Sequence, residues 1–97
     1  MAARHINITV NPGAAVALSD GAIEAARVYC YNSDVSLQAT AANVAPTSRE
    51  GSIPLRSGET LAADLQLADI FPGVGDGPFY LWAFSSGTPV TLSVSHA

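Results

Sequence analysis

From Phe79 to Val94 the chain reads FYLWAFSSGTPVTLSV, and its apolar and polar positions predict two strands joined by a turn. Six bulky or apolar residues, Phe79 to Phe84, come first. Ser85-Ser86-Gly87 then supplies turn chemistry, and Val90, Leu92 and Val94 alternate with Thr91, Ser93 and Ser95. The two strands are expected to pair as a β-hairpin. The second has one wet face and the first has none: Phe79, Leu81 and Ala83 share one side of the pleat, and Tyr80, Trp82 and Phe84 share the other. A strand apolar on both faces must be covered on both, by its own chain or by a neighbour's.

The same reading predicts the remaining elements. Residues Met1 to Arg4 form a short mobile arm, and His5 to Val10 is a half-buried strand with Ile6, Ile8 and Val10 on one face. Asn11-Pro12-Gly13 ends it with type II turn chemistry. Ala15 to Leu18 is a short strand, and Ala22 to Ala26 is one helical turn or a loose connection. Arg27 to Tyr31 and Val35 to Ala41, joined at Asn32-Ser33-Asp34, form a second expected hairpin. Asn43 to Ser52 is an exposed loop. Ile53-Pro54-Leu55 can only be an edge segment, because proline cannot donate to a central ladder. For Thr60 to Leu67 alternation favours a strand over the helical spacing of Leu61, Leu65 and Ala68, and Ala68 to Phe71 reads as one helical turn. Pro72 to Pro78 is a glycine-rich loop. The whole, residues 1–97, reads as one all-β domain: a small antiparallel β-sandwich, jelly-roll-like or Greek-key, of about eight short strands.

Composition narrows what such a domain does. Charged residues are only 12% of the chain against about 25% in globular proteins, while hydrophobic residues are 48%. A neutral surface suits packing among copies or against a partner. Four arginines, no lysine and a formal charge of −4 supply no basic patch, which argues against nucleic acid as a ligand. One cysteine leaves no intramolecular disulfide, and no signal-peptide or membrane-length apolar run occurs, so the expectation is folding in a cytoplasm without membrane attachment.

Candidate chemistry is thin. Gly73 and Gly75 are spaced as in a dinucleotide fingerprint, but Pro78 stands where the third glycine belongs and a strand follows, so no helix N-terminus receives a pyrophosphate. Asp69 and Asp76 lack the spaced oxygen series of a calcium loop. His5 and His96, at the two ends of the chain, form a zinc site only if the sandwich brings them to Cys30, whose default role is a small buried hydrophobe. No G-x-S-x-G elbow and no opposed carboxylate pair is present. The sequence predicts no enzyme, no cofactor and no metal. Trp82 with Tyr80 ranks first as core, then as a subunit or partner interface, then as a sugar-stacking platform. Tyr80, Trp82 and Phe84, with Phe71 and Arg4, are the candidate interface residues.

Three stretches, RVYCYNSDVSLQ, GSIPLRSGETLAADL and FYLWAFSSGTPVTLSV, resemble a pattern in small structural proteins of tailed bacteriophages. The matching positions are Asn32, then Gly51, Pro54, Leu55, Gly58 and Glu59, then Tyr80, Ala83, Ser86, Gly87 and Thr88. The resemblance implies a capsid decoration, or cement, protein: made in the host cytoplasm, bound to the major capsid protein on the outer surface of the virion, and self-associating, with a trimer favoured. The alternative is a carbohydrate-binding or tail- or fibre-associated sandwich module.

Overall fold

The computed structural model describes residues 4–62, 64–75 and 77–96. In chain order the strands are β1 (Arg4–Val10), β2 (Val16–Ala17), β3 (Arg27–Cys30), β4 (Val35–Thr40), β5 (Ile53–Leu55), β6 (Thr60–Leu61), β7 (Tyr80–Ser85) and β8 (Val90–His96). A one-turn helix, α1 (Leu67–Ile70), and a 3-10 turn, Pro72–Val74, lie between β6 and β7. Arg4 already belongs to β1; the rest of the expected arm lies outside the described residues, as do Ala63 and Asp76.

The strands form two four-stranded antiparallel sheets, ordered β1-β8-β3-β6 and β2-β7-β4-β5. First pairs with last, second with seventh, third with sixth and fourth with fifth, while β3 also pairs β8 and β4 also pairs β7. This is a long hairpin rolled up on itself, the jelly roll among the expected topologies. Alternation set the inward faces as read: Val35, Leu37 and Ala39 of β4 and Val90, Leu92 and Val94 of β8 are buried, with half-buried neighbours between them. Leu18, Ile23, Val28, Phe79 and Leu81 join them in one core between the layers.

Both expected hairpins are corrected. β7 and β8 lie in opposite sheets, as do β3 and β4, so Ser86 to Pro89 and Tyr31 to Asp34 carry the chain across the sandwich rather than back along one sheet. The apolar faces of β7 and β8 look at each other across the core, where an in-plane hairpin would have left them side by side. Turn chemistry and alternation are the same in either arrangement.

The expected strand over Thr60 to Leu67 is also corrected. Of its described residues only Thr60 and Leu61 join β3. The chain then turns, leaving Leu65 exposed, and the Leu67 N–H donates to Glu24 O at 2.9 Å. Leu67, the first residue of α1, and Phe71 just after it are buried in the core. That burial is what ends the alternation. Ala22 to Ala26 is a loose connection held by an Ile23–Phe79 bridge with two backbone hydrogen bonds of 2.7 Å.

Candidate interaction surface

The outward face of β7 carries Tyr80, Trp82 and Phe84, and β4 sets Thr40, Gln38 and Ser36 directly opposite them. The loop after β4, residues 41–52, of which Asn43 to Ser52 is expected as a plain exposed loop, folds back over this face. The Trp82 Nε1–H donates to Thr40 Oγ1 at 2.8 Å, and that hydroxyl donates to Ala42 O at 2.8 Å. Arg49 lies with its guanidinium 5.5 Å from the Phe84 ring centroid and donates to Ser85 O. Gly51, at φ +81°, passes over Gln38: a Cβ there would lie 3.8 Å from the amide nitrogen. The Gln38 Oε1 beneath is buried with no hydrogen-bond partner among the described residues. Trp82 and Phe84 are each 7% exposed, so the chain itself covers the second apolar face of β7.

The five candidate interface residues are therefore dispersed. Trp82 and Phe84 lie under the loop, Phe71 packs in the core, and Tyr80 is half-buried. Arg4 opens β1 in the other sheet, half-buried, with its guanidinium 3.4 Å from Leu18 O. Phe84 also floors a shallow cleft of about 290 Å³ between Gly13–Ala15 and Ala45–Thr47, which holds no convergent charged groups.

The turns at one end of the sandwich are tied together. Asn32 donates from Nδ2 to Pro89 O at 3.3 Å and accepts at Oδ1 from the Thr91 N–H at 3.0 Å. Ser33 and Thr88 hydroxyls meet at 3.0 Å. Asp34 Oδ1 accepts from the Ser57 N–H at 3.2 Å, and Glu59 Oε1 from the Arg56 N–H at 2.7 Å. Beneath them the Cys30 thiol donates to Ser33 O at 3.0 Å. Burial pushes its pKa up; the hydrogen bond at Asn32 opposes this and the charges of Asp34 and Glu59 add to it. That environment protects a thiol from ionising rather than activating it.

His5 and His96 do come to one end of adjacent strands, but on opposite faces. His5 points outward, with Nδ1 3.1 Å from Ser95 Oγ, while His96 is buried and accepts from the Asp20 N–H at Nε2, 3.1 Å away. Cys30 lies opposite Leu92, four residues along β8 from His96 and so roughly 13 Å away. Among the described residues no group of three or more His, Cys, Asp or Glu is placed to hold a metal ion, and no helix is long and apolar enough to cross a membrane. Asp69 is exposed on α1, and its expected companion Asp76 lies outside the described residues.

No protein family, curated protein or solved structure matches the chain. Among the described residues, two more exposed surfaces stand out. One is the outward face of the β1-β8-β3-β6 sheet, where Arg27 donates to Ser93 Oγ at 3.0 Å. There Tyr29 and Tyr31 meet edge-to-face at 4.9 Å, with Tyr31 half-exposed. The alternation of Arg27, Tyr29 and Tyr31 against Val28 and Cys30 already marked this face, but the bulk of Trp82 outweighed it. The other surface is the free side of β1, where Ile6 is 49% exposed.

Proposed function

We propose that this chain is a non-enzymatic structural protein of a tailed-phage virion, a decoration protein that binds the outside of the head and stabilises the shell. Its partner is the major capsid protein. The supporting observation is convergence. Asn32, Gly58, Glu59, Ser86 and Thr88, all positions of the phage-like pattern, belong to three turns that hydrogen bonds draw into one end of a jelly roll. A small sandwich with few charged residues, 12% of the chain, suits a protein that works by occupying a lattice site. Binding only the mature lattice stabilises it by mass action, about 2.7 kcal/mol when the free protein stands at 100 times its Kd.

Co-sedimentation of the purified chain with mature and immature heads of the phage that encodes it tests this. Saturable binding to mature heads alone is the expected result; binding to neither overturns the reading. A second reading, a carbohydrate-binding module, draws on the Tyr29–Tyr31 pair beside Arg27, with Tyr31 exposed and Tyr29 half-buried, since sugars stack on aromatic faces flanked by polar side chains. It predicts glycan-dependent quenching of tyrosine emission that Tyr31→Ala removes.

A further inference from the structure

We propose that two copies of this chain pair through β1 about a two-fold axis at Asn7, joining their β1-β8-β3-β6 sheets edge to edge. The inference stands on the strand geometry and does not rest on the virion reading.

β1 pairs with β8 on one side only, and on its other side no backbone group of residues 4–10 bonds to any described residue. Every second residue of such an edge presents an unpaired N–H and C=O, a template for another strand. Protein edges are normally blunted, and the other three here are. β2 and β6 have two residues each, and β5 has three with Pro54 at its centre. β1 has seven, with neither proline nor lysine, and its register runs from Arg4↔His96 to Val10↔Val90 without a bulge.

The sequence of β1 is also matched to its own reverse. Antiparallel pairing about Asn7 sets Ile6 against Ile8 of the second copy, His5 against Thr9 and Arg4 against Val10. Residues of like parity oppose one another, so faces and hydrogen-bonding groups agree on both strands. Ile6 lies on the same face as its partner Val94, the core face, yet is 49% exposed; the second copy's Ile8 covers it. The only charged side chain of β1, Arg4, stands roughly 20 Å along the strands from its counterpart, so no like charges meet.

A single long edge selects the symmetry. An edge-paired ring needs two different edges that fit each other, whereas one self-complementary edge closes as a two-fold dimer. Edge pairing therefore favours a dimer over the trimer implied by the phage resemblance.

Analytical ultracentrifugation of the full chain over a concentration series, with three variants, tests the proposal. The wild type is expected to shift from monomer to dimer mass as concentration rises. Asn7→Cys is expected to form a covalent dimer under mild oxidation, because the two Asn7 residues face each other directly. Thr9→Cys is expected to form none, its two copies lying roughly 14 Å apart in this register. Ile6→Lys is expected to remain monomeric while unfolding with wild-type cooperativity. A wild type monomeric at every concentration overturns the proposal. So does a dimer that Ile6→Lys leaves intact, or one in which Thr9→Cys cross-links and Asn7→Cys does not. Binding of β1 to a strand of another protein while the chain stays monomeric counts against it equally.

Discussion

Gly77 shows how tightly single positions are held. Its φ of +91° lies where side chains are strained, and a Cβ there would come within 2.6 Å of Phe79 Cε2. Phe79 is 1% exposed and tied to Ile23 by two backbone bonds, so its ring has nowhere to go. Gly77→Ala is expected to destabilise by about 2 to 4 kcal/mol, read from the urea midpoint, through backbone strain and overpacking together. Gly73→Ala, with open space around the Cβ and no positive φ, is expected to change stability by less than about 0.5 kcal/mol. Cys30 gives a pH signature. Because its folded pKa is raised, the unfolded chain loses the thiol proton first. This contribution to stability is present below the ordinary thiol pKa and is lost as pH rises through the folded value. Native protein is expected to react with a thiol reagent only as fast as it opens, with denaturant restoring full reactivity. The burial of Cys30 beside Val28 was legible from alternation; the clash at Gly77 was not, since it depends on where a ring two residues away is pinned.

At the scale of elements, β7 and the loop over residues 41–52 form one unit. The sequence required a cover for Tyr80, Trp82 and Phe84 without naming it. The polar composition of Asn43 to Ser52 concealed the cover, because Arg49 acts through a cation–π contact and a hydrogen bond to Ser85 O rather than by apolar burial. Arg49→Ala is expected to cost about 1 to 2 kcal/mol and, more distinctively, to make residues 41–52 the first site of limited proteolysis, detected by mass spectrometry of early fragments. Trp82→Ala is expected to cost about 3 to 5 kcal/mol in thermal or urea unfolding, the value for an aromatic in a packed site. Edge status was legible for β5 from Pro54 alone. That β1 is an edge was not, since its alternation is as regular as that of the central strand β8.

For the whole molecule, pairing is almost entirely non-local. β1 meets β8 from the far end of the chain, and even sequence neighbours such as β7 and β8 pair with distant strands. Loop closure must therefore precede most of the stabilising contacts. Refolding from urea is expected on a timescale of about milliseconds to seconds, slow for a chain of this size, measured by stopped-flow tryptophan fluorescence. The sequence by itself determined that β3, β4 and β8 are strands, which of their residues face inward and where the chain reverses between β3 and β4 and before β8. Alternation records on which side of a local plane each residue lies, and turn residues act within four positions. Tertiary structure alone decided which strands pair, that the reversals at Asn32 and Ser86 cross between sheets, that Leu67 leaves its strand to cap the core, and that the chain covers its own tryptophan. An inward face is satisfied equally by a neighbour in the same sheet or by the opposite layer. Only closure of both layers around one core distinguishes the two.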